Sequence, residues 1–212
     1  LRDAVNADTA VREGRQIETK ERMMVEGIRE LGDCTVGFIG FGAIAQATAK
    51  RLAAWGCPMY YNKRHRLPVD VEAALGVKLA TIDDIARTCD IVSIHVPVAE
   101  DTRGMVDDEF LAGMKNDAIL INTARGEIVD NDALARALES DAILAAGLDV
   151  IAPEPVLPDN PLLNLSEKAS RKLVLSPHVG GITEGMFHRA HRNVWDNIER
   201  VLNGKPPVNV IV

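Results

Sequence analysis

The chain has 212 residues, of which 47% are hydrophobic and 26% are charged, a composition typical of a globular protein. Its formal net charge of -7 argues against nucleic acid or an anionic membrane surface as a partner, because both attract basic proteins. Three widely spaced cysteines without a C-x-x-C pair argue against a disulfide framework and favour a reducing, cytoplasmic setting. No apolar run approaches the roughly 20 residues that a membrane-spanning helix needs.

The first residues of the chain have the pattern of a helix that began further upstream. Leu1 stands where an initiator Met would be expected, and the first dozen residues resemble the end of a helix. We therefore expect further residues upstream.

Short apolar runs recur along the chain and alternate with helical patterns. Runs without polar alternation are typical of strands buried on both faces of a parallel sheet. The predicted strands are Val36 to Ile39, Met59 to Tyr61, Ile91 to His95, Ala118 to Asn122, Ala145 to Val150 and Leu173 to Leu175. Their alternation with helices predicts β-α-β units and a doubly wound parallel sheet, an α/β fold of the Rossmann-like type.

Helix signals lie between these runs. After the first strand, Ile44, Thr48, Leu52 and Trp55 recur at helical spacing, and we expect them to form a buried stripe. The other predicted helices run from 82 to 88 behind a capping box of Thr81 and Asp84, through Leu138 behind Asp130 or Asn131, and from 183 to 202. Residues 152–163 contain four prolines and predict an ordered, non-helical loop.

A glycine-rich turn follows the first predicted strand directly. Gly40-Phe41-Gly42-Ala43-Ile44-Ala45 is a G-x-G-x-x-A sequence that opens a helix. The first glycine permits a tight turn, the second lets a pyrophosphate approach the backbone, and the small third residue allows close packing of helix on strand. The N-terminus of the helix offers N–H groups to the anion. In this context the turn predicts dinucleotide binding.

The second predicted strand ends in a basic turn, where an acidic residue that binds the adenosine ribose is expected. The chain has Asn62 there, followed by Lys63, Arg64, His65 and Arg66. A carboxylate would repel a 2′-phosphate, whereas an amide beside cationic side chains can bind one. The turn therefore favours NADP(H) over NAD(H), with a solvated basic turn as the alternative interpretation.

Four further motifs follow one another in the second half of the chain. They are Asn122-Thr123-Ala124-Arg125-Gly126, Gly147-Leu148-Asp149-Val150, Pro153-Glu154-Pro155 and Ser176-Pro177-His178-Val179-Gly180-Gly181. In this order and at this spacing they resemble the D-isomer-specific 2-hydroxyacid dehydrogenases, which include phosphoglycerate dehydrogenase, glyoxylate/hydroxypyruvate reductase and D-lactate dehydrogenase. The resemblance extends over nearly the whole chain and implies hydride transfer between NAD(P)H and a small 2-keto acid or D-2-hydroxy acid.

The resemblance also implies roles for individual residues. Arg125 matches the residue that grips the substrate carboxylate, His178 the general acid that protonates the developing alkoxide, and Glu154 the carboxylate that orients that imidazole. Each is by itself a common surface residue, so the implication depends on all three following successive strands, near the edge where ligands bind. Cofactor contacts are implied for Val96, Pro97, Thr123, Ala124, Asp149, Gly180 and Gly181.

The chain departs from the family pattern in three respects. Ala45 and Asn62 stand where many members have glycine and an acidic residue. Members also carry an upstream segment that forms most of a substrate domain. We therefore predict a dinucleotide-binding domain over 1–182, and a return helix and tail over 183–212 that lead toward a substrate domain absent from the chain. The resemblance further implies a homodimer.

Two alternatives remain open on the sequence. A cofactor-sensing protein of the C-terminal-binding corepressor type would share the fold and much of the site, whereas an unrelated Rossmann enzyme would share only the glycine-rich turn. His188 and His191 lie three residues apart, but no third ligand accompanies them, so we predict no metal site. His95 lies within an apolar strand and is predicted to be a core histidine.

Overall fold

The computed structural model describes residues 1–210, which contain a seven-stranded sheet. The strands are β1 Val36–Ile39, β2 Met59–Asn62, β3 Val77–Leu79, β4 Ile91–Ile94, β5 Ile119–Asn122, β6 Ala145–Leu148 and β7 Leu173–Leu175. Neighbouring strands are parallel throughout, in the order β3-β2-β1-β4-β5-β6-β7. This arrangement confirms the predicted doubly wound, Rossmann-like α/β fold.

The strand order reverses at β1. Val36 of β1 pairs with Met59 of β2 on one side and with Ile91 of β4 on the other. In open α/β sheets, ligands bind in the crevice outside the carboxyl ends of the strands at such a reversal. A ligand site is therefore expected at the loops that follow Ile39, Asn62 and Ile94.

The sheet forms the centre of the hydrophobic core. All four residues of β1 are buried, as expected for a central strand of a parallel sheet. The three cysteines are free and buried, and burial raises the pKa of the Cys89 thiol to about 11. Cys89 therefore stays protonated at neutral pH and packs as a small apolar side chain.

The helices begin where side chains can accept the first N–H groups. Thr81 Oγ1 accepts from the Asp84 N–H at 3.1 Å, and the Asp130 carboxylate accepts from Asp132 and Ala133, which identifies Asp130 as the cap. The helices are α1 Ala4–Arg12, α2 Gln16–Glu26, α3 Ala43–Leu52, α4 Val69–Leu75, α5 Ile82–Thr88, α6 Asp108–Gly113, α7 Asn131–Glu139, α8 Glu167–Ser170 and α9 Glu184–Leu202.

The predicted buried stripe on α3 is wrong at Ile44 and Trp55, although Leu52 does pack against the core. Ile44 is 70% exposed and Trp55 is 62% exposed, whereas Ala45 and Ala49 are buried in the cluster around β1 and β2. The helix lies close to the sheet through its alanines, and such an approach leaves no room for large side chains. Large apolar residues were therefore a poor guide to the buried face of the helix. The buried residues Ala45 and Ala49 each lie one position after a residue of the predicted stripe.

Two other predictions require correction. The strand β3 was missed because it is an edge strand in which only Val77 is buried. The loop over 152–163 is not wholly non-helical, since Pro161–Leu163 form a 3₁₀ turn capped by the side chain of Asn160. Proline suits the first position of such a turn because it has no N–H to satisfy there.

The described residues divide into two compact units, the first over Leu1–Ser176 and the second from Pro177 onward. In the second unit, Thr183 caps α9 by accepting from the Met186 N–H at 3.1 Å, which confirms the predicted long final helix. The division at 182/183 stays a prediction. Among residues 1–210, none of the helices combines the length and apolar character that crossing a bilayer requires.

Candidate functional site

The glycine-rich turn begins at the carboxyl end of β1 with a backbone that only glycine suits. Gly40 has φ +84°, and its N–H donates to the Asn62 carbonyl at 3.1 Å. A Cβ atom at this position would lie 2.7 Å from the carbonyl carbon and oxygen of His95. Conformation and packing therefore both require Gly40, and the turn is held against β2 and β4.

Gly42 differs, because nothing in the fold requires a glycine there. Its φ of -84° suits any residue, and an added Cβ would meet no atom of the protein within 4 Å. The ten-residue helix α3 begins at the next residue, Ala43, and its first N–H groups have no acceptor within the helix. The open face beside a helix N-terminus fits a ligand whose anionic group approaches the backbone.

The two arginines of the basic turn after β2 each pair with a carboxylate. Arg64 Nη2 lies 2.7 Å from Asp101 Oδ2, and Arg66 makes two hydrogen bonds to Glu72, at 3.0 and 2.8 Å. The Asn62 side-chain nitrogen donates to the Ala80 carbonyl at 3.0 Å. The side-chain oxygen of Asn62 is then the group left to meet a ligand, and it is an acceptor suited to a ribose hydroxyl.

A buried network fixes the shape of this turn. The Tyr61 hydroxyl donates to Glu72 at 2.6 Å and accepts from the Leu67 N–H at 2.9 Å. The Arg66 guanidinium and the Tyr61 hydroxyl lower the pKa of Glu72 to about 2. Glu72 is therefore ionised at neutral pH and ties both ends of the turn to α4.

The loop after β4 forms the other side of the reversal point. Val96 is half-buried and Pro97 is exposed. The preceding His95 ring shares a hydrogen bond with the Ser93 hydroxyl at 2.9 Å, and burial lowers the His95 pKa. His95 is thus neutral and hydrogen-bonded, as predicted, but it is half-buried and lies at the margin of the core.

A buried amide organises the turn that carries Arg125. Asn122, the last residue of β5, is fully buried; its side chain donates to the Arg125 carbonyl at 2.9 Å and accepts from the Ala124 N–H at 3.0 Å. Thr123 and Arg125 remain exposed beside it. The turn is therefore fixed from within, and the Arg125 guanidinium donates to the Ala124 carbonyl at 2.6 Å.

The same turn is packed against the loop that carries Glu154. A Cβ atom at Gly126 would lie 2.3 Å from the backbone nitrogen of Ala152, so the two backbones touch. The Ala152 carbonyl accepts from the side chains of Asn131 at 2.6 Å and Asn160 at 3.2 Å. Glu154 is exposed on this anchored loop.

Asp149 lies at the carboxyl end of β6 and is buried. Its carboxylate accepts from the Ser176 hydroxyl, and its N–H donates to the Asn122 carbonyl at 3.0 Å. The residue is therefore connected to the β5 turn on one side and to the end of β7 on the other.

The remaining predicted residues belong to the second unit. They are His178, Val179, Gly180 and Gly181. His178 has φ +56°, in the left-handed region that non-glycine residues seldom adopt. Such a backbone at a predicted catalytic residue agrees with the tendency of strained conformations to cluster at functional sites.

The first unit brings the predicted residues to one edge of the sheet, because each follows the carboxyl end of a parallel strand. Sequence reasoning missed three supporting residues at this edge: Asn122, Gly126 and Glu72. The first two were visible within the recognised motif but had no assigned task. Glu72 had no signal, since its role depends on Tyr61 and Arg66. Within the described part of the chain, no three His, Cys, Asp or Glu side chains are grouped to hold a metal ion.

Comparisons with known proteins agree with this architecture. Residues 1–180 match the family described as D-isomer specific 2-hydroxyacid dehydrogenase, NAD binding domain. The chain is 37% identical over 211 residues to glyoxylate reductase of Korarchaeum cryptofilum (strain OPF8), covering 99% of this chain and 61% of that protein. It is 36% identical over 199 residues to D-3-phosphoglycerate dehydrogenase of Mycobacterium tuberculosis (strain ATCC 25618 / H37Rv), covering 94% and 35%.

A solved structure shows the same fold over almost the whole chain. The apo crystal structure of Rhodotorula graminis D-mandelate dehydrogenase superposes with a TM-score of 0.88 at 30% sequence identity, covering 98% of this chain and 60% of that one. The sheet and its turns define a Rossmann-like nicotinamide-cofactor domain. The chain belongs to the D-isomer-specific 2-hydroxyacid dehydrogenase family, as the NAD-binding domain, and spans about 60% or less of these relatives. This membership rules out an unrelated Rossmann enzyme.

Proposed function

We propose that this chain is the cofactor-binding part of an enzyme that reduces small 2-keto acids, or oxidises D-2-hydroxy acids, with NADP(H) favoured over NAD(H). The observation that carries the proposal is Gly42, whose missing side chain leaves space that the fold itself does not use. That space adjoins the N-terminus of α3 at the point where the strand order reverses.

The cofactor contacts follow from the residues at this edge. Gly40, Gly42, Ala43 and Ile44 would hold the pyrophosphate, and Lys63 and Arg64 the 2′-phosphate, with Asn62 beside the ribose. Val96 and Pro97, Thr123 and Ala124, Asp149, and Gly180 and Gly181 would line the rest. The bound cofactor supplies or accepts the hydride at nicotinamide C4. The preference for NADP(H) is supported by Lys63 and Arg64, two cationic side chains that a 2′-phosphate can bind.

Three side chains would carry the chemistry on the substrate. Arg125 would bind the substrate carboxylate through its planar guanidinium and polarise the keto oxygen. His178 would protonate that oxygen as it gains charge, and would remove the proton in the reverse direction. Glu154 would orient the imidazole. The fixed turn around Arg125 supports this assignment, because precise placement of a charged group needs a backbone that does not move.

We further propose a complete enzyme in which a substrate domain joins this chain, which would act in the cytoplasm as a homodimer. We expect the chain alone to bind cofactor with little turnover, since the substrate cleft would lack one wall. Neither nucleic acid nor a membrane is a proposed partner.

The test is kinetic and uses the complete enzyme with glyoxylate or hydroxypyruvate. His178→Ala should lower kcat by about 10²–10⁴-fold and leave the Kd of NADPH unchanged, because a general acid acts on the reacting proton rather than on the cofactor. His191→Ala, on the exposed surface of α9, is the matched control and should retain wild-type kinetics. A wild-type protein that binds NADPH but turns over none of these acids would favour a cofactor-sensing protein of the corepressor type.

A further inference from the structure

An ion pair joins the two loops on either side of β1. Arg64 follows β2 and Asp101 lies in the loop after β4, and their side chains are 2.7 Å apart, with exposures of 78% and 63%. Because β2 and β4 flank β1 in the sheet, the pair spans the carboxyl end of β1, where the glycine-rich turn begins. It therefore lies at the adenosine side of the proposed cofactor crevice.

Asp101 is carried by a turn with its own internal bonds. The Thr102 hydroxyl donates to the Pro97 carbonyl at 2.6 Å and accepts from the Ala99 N–H at 2.8 Å. The Gly104 N–H donates to the Glu127 carbonyl at 2.9 Å. The carboxylate of Asp101 is thus presented by an ordered loop rather than by a loose one.

Arg64 is likewise carried by an ordered turn, in which one neighbouring cation is already committed. Arg66 makes its two hydrogen bonds to Glu72, and Tyr61 holds the end of the turn through Leu67. The guanidinium of Arg66 is therefore neutralised by a carboxylate within its own segment. Lys63 and Arg64 are the cations that the turn can offer to a phosphate, and Arg64 is shared with Asp101.

We propose that Asp101 sets the balance between NADPH and NADH by competing with the 2′-phosphate for Arg64. The inference rests on the proposed cofactor site. A 2′-phosphate must displace the Asp101 carboxylate from the guanidinium and then remains close to a like charge, whereas the ribose hydroxyl of NADH leaves the ion pair in place. Asp101 therefore limits a preference for NADPH that Lys63 and Arg64 would otherwise make stronger.

The size of the effect follows from the exposure of the pair. Exposed ion pairs contribute about 0.2–1 kcal/mol, which converts to a change in Kd of at most about fivefold. We expect Asp101→Asn to tighten NADPH binding about two- to fivefold and to leave the Kd of NADH unchanged. The gain should shrink as salt is raised, because both competing interactions lie at the surface.

The test is calorimetric titration of the chain with each cofactor at low and moderate salt. The matched control is Glu100→Gln, which removes the same charge from the adjacent exposed residue of the loop. An Arg64→Gln background completes a double-mutant cycle, and there the gain from Asp101→Asn should largely disappear.

The outcomes distinguish the proposed role of Asp101 from the proposed cofactor-binding function. If Glu100→Gln and Asp101→Asn tighten NADPH binding equally, or if the gain persists without Arg64, the effect is general electrostatics and the competition is overturned. If both cofactors bind and Asp101→Asn leaves the ratio of the NADPH and NADH Kd values unchanged, the proposed role of Asp101 is wrong while the proposed function stands. If the wild-type chain binds neither cofactor, both proposals fail.

Discussion

Two glycines of the same turn have different physical reasons to be glycine. Gly40 combines a positive φ with a contact at 2.7 Å to the His95 backbone, so the fold would be strained by any side chain there. Gly42 has an ordinary φ and open surroundings, so the fold itself does not require a glycine there, and the proposed reason is the approach of the cofactor. A substitution at Gly40 is therefore expected to affect stability, whereas one at Gly42 is expected to affect the proposed binding of the cofactor.

Asn122 provides a test of how far a buried amide positions a catalytic side chain. We expect Asn122→Ala to lower the free energy of unfolding by about 1–3 kcal/mol, because the Arg125 carbonyl and the Ala124 N–H lose their partner. In the complete enzyme the variant should also raise the KM of the keto acid, since the turn that carries Arg125 is no longer fixed. Urea unfolding and steady-state kinetics measure the two effects. Lower stability with an unaltered KM and kcat would show that the amide has a structural role only.

At the scale of single elements, capping signals were more reliable than the apolar pattern. The Thr81–Asp84 signal located α5 correctly because a cap depends on neighbours in the sequence. The buried face of α3 depends on how closely the helix approaches the sheet, which its own sequence does not encode. Ile44 and Trp55 were therefore predicted to be buried, whereas both are exposed.

The Tyr61–Glu72–Arg66 network makes the stability of the β2–α4 segment dependent on pH. The folded-state pKa of Glu72 is about 2, below its ordinary value of 4.5. Ionised Glu72 therefore stabilises the fold fully above the unfolded-state pKa, and this contribution is lost as the pH falls from about 4.5 through about 2.

Glu72→Gln should accordingly be less stable than the wild type at pH 7, with a difference that shrinks as the pH is lowered toward 3. Chemical unfolding at pH 7, 5 and 3 measures this difference. Asp70→Asn, on the same helix but with an exposed side chain, is the control and should show a much smaller difference at pH 7. A constant difference between Glu72→Gln and the wild type at every pH would contradict the account of the network.

For the whole molecule, the sequence predicted the parallel sheet because buried strands and caps repeat along the chain with a regular alternation. It predicted one edge of the sheet as the site because the polar motifs follow the strands. It did not predict β3, an edge strand with one buried residue, or the task of Asn122. Partners such as Asp101 for Arg64 lie 37 residues apart in the chain, and only folding brings them together.

The central claim is that the glycine-rich turn binds a nicotinamide dinucleotide, and calorimetric titration of Gly42→Ala tests it most directly. Gly42 is the N-cap of α3, where glycine is a better cap than alanine, so the variant should lose about 1 kcal/mol or less of unfolding free energy and stay folded, since the added methyl group meets no atom within 4 Å. Gly113→Ala, which also adds a methyl group in open space but at the end of α6, is the matched control.

The account predicts that the wild type and Gly113→Ala bind NADPH alike, whereas Gly42→Ala binds it at least about tenfold more weakly, a loss of about 1.4 kcal/mol. Equal binding by all three proteins, or binding by none of them, would contradict the claim.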